Sequence, residues 1–332
     1  MRFTGFQPRV EAGIEQGGWL VAAVEMTSPK KPPALRRKLR WLLTSYDGQV
    51  WLFLIPFLSG SLFLVALPAL VTLGVAFTQY NTIEPPRWVG LDNFRRLWES
   101  PLARVSLRSS LLFLFLAAPL RLLGALGMAL LLQLRGRFFA GSRTVVYLLT
   151  IIPEGAYALL WLWILNPLFG PLNLALGWLG LPRAEWLVEP LPTQMAFVIM
   201  ALFTIGEGMV VLLVGLRTIP KVYYEAARVD GASPLRTFSA ITLPLLLPWL
   251  LLLTLRDLVV SLQNTFTPSF VITYGGPYYA TTYIPLLLYE LAFDFFDFGL
   301  AAALLVVLYV VTGVLVVGII NLISPGGEGH VA

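Results

Sequence analysis

The residues of this 332-residue chain with the most chemistry to offer are charged groups set in long apolar stretches. Glu154, Glu207 and Asp257 are the carboxylates so placed, and Arg121 and Arg256 the cations. An ionised side chain in hydrocarbon is costly, so each must face a bundle interior or a water-filled cavity, or meet an opposite charge. Glu207 stands between Gly206 and Gly208, small neighbours that let a ligand or a helix approach closely. It is suited to accept hydrogen bonds from a polyol, and equally to pair with an intramembrane cation or a partner subunit. Adjacent Arg256-Asp257 reads as a structural pair, local or across a subunit boundary, with Arg121 and Glu154 as further candidates for internal pairing. Downstream, Ser261-Leu262-Gln263-Asn264-Thr265 adds uncharged hydrogen-bonding groups, and Phe266, Phe270 and Tyr274 add aromatic faces. That combination recognises carbohydrate. The competing role for Gln263 to Thr265 is to tie helices together.

Other chemistries are excluded by what the chain lacks. It has no cysteine, hence no disulfide, thiolate metal site or cysteine nucleophile. Its single histidine, His330, sits beside the C-terminus, so no histidine-based metal cluster or internal general base is available. No glycine-rich phosphate cradle of the P-loop type occurs, nor a zinc-protease or hydrolase-elbow motif. The sequence therefore predicts neither an enzyme nor a cofactor, and any ATP hydrolysis must come from elsewhere.

The elements that hold these groups are membrane spans. Hydrophobic residues are 58% and charged residues 12% of the chain, about half the charge of a soluble domain; the mean hydropathy is +0.79. Six stretches, near 51–77, 108–134, 144–166, 193–216, 241–265 and 298–322, are long enough to cross a ~30 Å core. The net charge of +5 belongs to topology, not to nucleic-acid binding. One set of segments holds Arg2, Arg9, Lys30, Lys31, Arg36, Arg37, Lys38 and Arg40, then Arg135, Arg137 and Arg143, then Arg217, Lys221, Arg228 and Arg236. The opposite set holds Arg87, Arg95, Arg96, Arg104, Arg108 and Arg183. By the positive-inside rule the first set, with both termini, is cytoplasmic. The organisation expected is a cytoplasmic tail and basic anchor (1–50), a six-span domain (51–322) and a short cytoplasmic tail (323–332). Residues 1–28 lack a signal-peptide layout and read as a poorly ordered extension.

The loop at 217–248 is unlike its apolar neighbours. Thr218-Ile219-Pro220 signals a helix start, about ten residues follow without a breaker, and Asp230-Gly231 supplies a left-handed stop. Ser233 caps a second helix with Pro234 in its first turn, running toward Ile241 and back into the membrane. Glu225-Ala226-Ala227 lies midway along the first helix. Its alanines let a partner surface come close, while Glu225 and Arg228 can pair or reach outward.

This stretch resembles the EAA loop of binding-protein-dependent ABC importer permeases: Glu225-Ala226-Ala227, Gly231 four residues on, then Ile241-Thr242-Leu243-Pro244. The longer pattern, with Tyr224, Arg228, Asp230 and Ala232, is similar to the sugar-type branch that includes maltose and glycerol-3-phosphate permeases. Trp88-Val89-Gly90-Leu91-Asp92-Asn93-Phe94, Gly170-Pro171-Leu172-Asn173, Thr273-Tyr274-Gly275-Gly276-Pro277 and Phe298-Gly299-Leu300-Ala301-Ala302-Ala303 resemble further family segments in the right order. Around Phe203-Thr204-Ile205-Gly206 the chain departs from the family, with Glu207 in place of the more usual aromatic.

The resemblance implies an all-α integral membrane protein with six transmembrane helices of the type I ABC importer permease class, in a bacterial or archaeal cytoplasmic membrane. It implies a sugar-translocating subunit whose 217–248 loop couples to a separate cytosolic ATPase, the ATPase acting as a homodimer. One docking loop per chain implies a second permease, a paralogue rather than a copy. An extracytoplasmic solute-binding protein delivers the substrate. Import of glycerol-3-phosphate or another polyol derivative is the alternative within this class. Outside it, an ion-coupled secondary transporter would use Glu207, Glu154 and Asp257 as coupling carboxylates, although no inverted repeat supports it.

Overall fold

A computed structural model describes residues 45–134 and 136–323. The 1–28 extension, the basic run ending at Arg40, Arg135, the Ser324-Pro325-Gly326-Gly327 segment and His330 lie outside the described residues. These fall into two units, one ending at Ala69 and one beginning at Leu70. The first holds most of helix α1 (Gln49–Val75), whose ladder widens to a π turn at Leu62–Ala66.

From Leu70 onward, a two-stranded ribbon joins β1 (Thr78–Gln79) to β2 (Arg87–Trp88). Then come α2 (Asp92–Glu99), α3 (Pro101–Leu132), α4 (Arg137–Ile151), α5 (Glu154–Ile164) and α6 (Pro171–Trp178). These are followed by α7 (Pro190–Leu202), α8 (Gly206–Thr218) and α9 (Lys221–Val229). The last are α10 (Pro234–Thr273), α11 (Ile284–Tyr289) and α12 (Phe298–Ile323).

Four of the described helices, α1, α3, α10 and α12, are long and apolar enough to cross a membrane, and the count reaches six if each of two bent pairs forms one span. The bent pairs are where the expected third and fourth spans depart from straight helices. α4 and α5 meet at 102°. Ile152, held extended before Pro153, cannot continue the helix, and Pro153 opens the next one. α7 and α8 meet at 43°, where Phe203 and Thr204 tighten into three-residue bonds to Met200 and Ala201. The Thr204 hydroxyl also donates to the Ala201 carbonyl at 2.8 Å, a local bond that competes with the helical ladder.

Two other boundaries differ from expectation. α3 begins at Pro101, capped by the Ser100 hydroxyl, so Arg104 and Arg108 lie on the helix. α10 extends beyond 241–265 at both ends. It continues from the second helix of the 217–248 loop through a π turn at Phe238–Thr242, and it ends where Tyr274 turns left-handed.

Apolar burial collects into three clusters, and α3 passes through all of them. Leu114 joins Leu258, Ile284, Leu287 and Leu304; Phe113 joins Trp161, Phe197, Met200 and Tyr283; Ala125 and Ala129 join Met209, Leu212, Leu246 and Leu253. Two buried asparagines form polar joints. Asn93 of α2 is 1% exposed, and its amide donates to the Ala76 and Thr78 carbonyls at 3.0 and 2.8 Å. Next to it Arg96 pairs with Asp297, just before α12, at 2.8 Å. The Trp88-to-Phe94 segment thus works as a splice between the chain after α1 and the start of α12, with Phe77 stacked on Trp88. Asn173 does the same locally. It holds the Pro167 and Ala184 carbonyls and accepts from the Ala184 amide and the Trp186 indole.

Replacing Asn93 by Leu keeps the branched shape of the side chain and removes the donor to the Ala76 and Thr78 carbonyls. The variant is expected to lose about 1–3 kcal/mol, read as a lowered thermal unfolding midpoint of the detergent-purified protein.

Candidate functional site

The 217–248 loop folds as a rigid projection. α9 ends in a Schellman motif: the Ala232 amide donates to the Ala227 carbonyl at 2.9 Å and the Gly231 amide to the Arg228 carbonyl at 3.1 Å. Gly231 takes φ +69°, a conformation in which an L side chain is strained. Ser233 then caps the next turn by accepting from the Arg236 amide, with Pro234 at its start. Pro220 stands one place outside the helix, as its N-terminal cap.

Around α9 the expected residues divide by face. Glu225, Ala226, Arg228, Asp230 and Gly231 are exposed, and Ala232 is half-buried. Glu225 and Arg228 make no ion pair among the described residues, so both remain free to reach outward. Ala227 departs from the expectation that both alanines face a partner. It is buried in its own chain, because the face carrying Tyr224 and Ala227 is the one that packs inward. Tyr224 is half-buried, and its hydroxyl is 3.0 Å from that of Thr242 at the foot of α10. The projection is therefore tied to α10 by both chain continuity and a hydrogen bond.

A cavity of about 300 Å³ opens among α3, α4, α5, α7, α8 and α10. Its polar lining includes Arg121, Glu154, Tyr157, Thr204, Glu207, Arg256, Asp257, Ser261, Asn264 and Thr265. The charges form a chain. Arg121 on α3 pairs with Asp257 at 3.4 Å and donates to the Ser261 hydroxyl. Arg256 pairs with Asp257 at 3.3 Å and with Glu207. Burial differs along the chain: Arg121 and Asp257 are nearly enclosed, while Arg256 and Glu207 are half-exposed. Glu207 sits in the first turn of α8, directly after the break, and so near the middle of the bent pair α7–α8. Its flanking glycines serve helix contacts: a side chain at Gly206 would meet the Val146 carbonyl, and one at Gly208 would meet Ala125.

Glu154 has no cation partner among the described residues and accepts from the Thr267 hydroxyl at 3.0 Å. Asn264 and Thr265 reach the cavity, and Gln263 does not; it lies on the exposed outer face of α10. The Thr265 hydroxyl is buried and finds no partner among the described residues.

Residues 122–326 match the family of binding-protein-dependent transport system inner membrane components. This chain belongs to that permease family. Among its relatives, a probable ABC transporter permease, YesP, of Bacillus subtilis is 32% identical over 79% of this chain and 86% of its own. The trehalose/maltose transport system permease MalF of Thermococcus litoralis is 32% identical over 78% of this chain and 88% of its own. Among solved structures, a bacterial alginate ABC transporter in complex with a pentasaccharide-bound periplasmic protein superimposes with a TM-score of 0.74. It has 24% identity over 86% of this chain and 96% of that one, a likeness of fold.

The permease's remaining family segment, Thr273-Tyr274-Gly275-Gly276-Pro277, forms a tight corner after α10. The Thr281 hydroxyl donates to the Gly276 carbonyl at 2.7 Å and the Thr282 hydroxyl to the Gly275 carbonyl at 3.2 Å. Tyr274 donates to Asp294 at 2.8 Å, and this carboxylate pushes the phenol up to about 12, so the donor stays protonated at neutral pH. Phe266, Phe270, Tyr274, Tyr289 and Phe293 contact ring to ring through this region.

Sequence reasoning passed over Tyr157, whose hydroxyl donates to the Met200 carbonyl at 2.6 Å, and Thr267. A lone tyrosine in an aromatic-rich helix carries no local signal. Thr267, two places past the polar run that ends at Thr265, was within reach of the same argument.

Asp257→Ala leaves the Arg121 guanidinium enclosed and without its carboxylate. The expected cost is about 3–5 kcal/mol, and replacing Arg121 by Met in the same chain should recover much of it. Thermal unfolding of the wild type and the two purified variants measures both.

Proposed function

We propose that the chain is the membrane subunit of an ATP-driven importer for an uncharged saccharide. It forms half of the translocation pathway and takes its drive from a separate cytosolic ATPase docked on α9. The observation that carries the coupling assignment is the exposed, Schellman-terminated helix α9, with Glu225 and Arg228 in no ion pair among the described residues, joined to pathway helix α10 through Tyr224 and Thr242. In this reading the 217–248 loop and both termini are cytoplasmic, as the distribution of Lys and Arg supports. A second permease, a paralogue in preference to a copy, supplies the other half, and an external binding protein hands over the substrate.

The cavity supports a neutral substrate. An anionic one, such as a glycerol phosphate or a uronate, would want a free guanidinium. Both cavity arginines are engaged, Arg121 by Asp257 and Ser261, and Arg256 by Asp257 and Glu207. Glu154 adds a carboxylate with no cation of its own among the described residues. Glu154 and Asn264 remain open to a ligand, and the Thr265 hydroxyl in the same lining has no partner among the described residues. Acceptors and amphoteric groups of this kind suit sugar hydroxyls, since a buried hydroxyl needs a partner. The relatives include permeases named for trehalose and maltose, for diacetylchitobiose and for sn-glycerol-3-phosphate, and the pairing of both arginines favours the first two kinds of solute.

Glu225→Lys reverses the charge offered to the ATPase, and Gly231→Trp sets a bulky side chain on a left-handed residue at the docking surface. Each is expected to abolish uptake while membrane insertion and co-purification of the second permease persist. Uptake that survives both changes would remove α9 as the docking element.

A further inference from the structure

Glu207 and Arg256 stand apart from the other charged lining residues because they bound two hollows. Both line the main cavity, and both also line a second, smaller one with Tyr147, Val210, Val211 and Leu253. The direction of the chain gives the second hollow its place. α8 runs from the break toward the 217–248 loop, so Val210 and Val211 lie up to a turn nearer that loop than Glu207. α10 runs away from the loop, so Leu253 lies about a turn nearer it than Arg256. The smaller hollow reaches toward the loop side of the pair through Val210 and Val211, whereas the main cavity shares Leu253 with it and extends to the far side through Ser261, Asn264 and Thr265.

We infer that the Glu207–Arg256 ion pair is the barrier that closes the pathway toward the loop side, and that these two residues must part once in each transport cycle. This rests on the proposed importer function and its orientation, which make the loop side cytoplasmic.

The surroundings fit a bridge built to open. α8 and α10 touch closely at their loop-side ends, where a side chain at Gly215 would come within 2.9 Å of the Trp249 ring. That contact is a fulcrum. At the level of Glu207, about 12 Å farther along α8, the two helices are spanned by the ion pair, which lines both hollows. Rocking about Gly215 and Trp249 therefore separates Glu207 from Arg256 with little disturbance below. Parting leaves neither group stranded. Arg256 keeps Asp257, 3.3 Å away on its own helix, and Glu207 is already half-exposed to the cavity. The movement also has a handle. Thr242, bonded to Tyr224 of α9, is about 21 Å along the same helix from Arg256. A push on α9 reaches Arg256 through one continuous element.

The test uses the complete transporter in sealed vesicles, with radiolabelled sucrose as the probe of passive leak, measured without nucleotide or binding protein. Glu207→Arg and Arg256→Glu each set like charges across the gap. Each is expected to raise sucrose leak about tenfold, the shift in an opening equilibrium that about 1.4 kcal/mol produces, and to raise ATP hydrolysis in the absence of substrate. The double variant E207R/R256E restores an opposite-charge pair and should return leak close to the wild-type level. Glu207→Gln, milder for folding, should give a smaller leak of the same kind. The barrier assignment is overturned if assembled single variants stay as tight as wild type, or if they alter only the KM for uptake. It is equally overturned if the double variant leaks as much as either single one. The leak is read without ATP, so failure of the importer reading would show separately, as wild-type vesicles that take up no saccharide on ATP addition.

Discussion

The linked ion pairs Arg121–Asp257–Arg256–Glu207 are the interaction on which the polar interior of this permease depends. They join α3, the spine of the packing, to α10 and α8, and they do so across a cavity. Charges in an apolar bundle are tolerated only where each has a counter-charge or water. The chain meets that demand in graded fashion, with an enclosed pair at Arg121 and Asp257 and a half-exposed pair at Arg256 and Glu207. The enclosed end is fixed architecture. The open end is movable, because its members stay solvated or partnered when they part.

α10 unites the structural and the mechanical parts. Its foot is the second helix of the 217–248 loop, its middle carries Arg256 and Asp257, and its outer end offers Asn264 and Thr265 to the cavity. A stiff helix transmits displacement along its axis, so one element can connect an external push, an internal barrier and a ligand surface. Asn93 and Asn173 serve a different purpose. Each commits its amide to backbone groups of neighbouring segments and so pins the outer connections beside the apolar clusters that Leu97 and Leu172 join.

Much of this was legible in the residues themselves. Asp230-Gly231 and Ser233-Pro234 announced a left-handed stop and a capped restart, and both are found, because capping chemistry is local. The long apolar runs marked the spans, since crossing hydrocarbon requires some 20 apolar residues whatever the tertiary arrangement. The breaks were less visible. Pro153 marked one of them, but the bend at Phe203 to Ile205 contains no proline or glycine of its own. The inward turn of Ala227 was hidden too, as two adjacent alanines are equivalent in sequence and point about 100° apart on a helix.

Residue types and their local order were enough for the class of protein, the long apolar runs, the self-contained geometry of the 217–248 loop and the identity of the charged residues needing partners. Each follows from short-range chemistry: hydropathy over one helix length, or the φ and hydrogen bonds of a few neighbours. Only the tertiary structure decided which charges meet. Glu207 and Arg256 are 49 residues apart, and Arg121 and Ser261 are 140 apart. Helix packing sets such distances, so it was packing that gave Glu207 to Arg256, gave Arg121 to Asp257, left Glu154 without a counter-charge among the described residues, and turned Gln263 away from the cavity that Asn264 and Thr265 line.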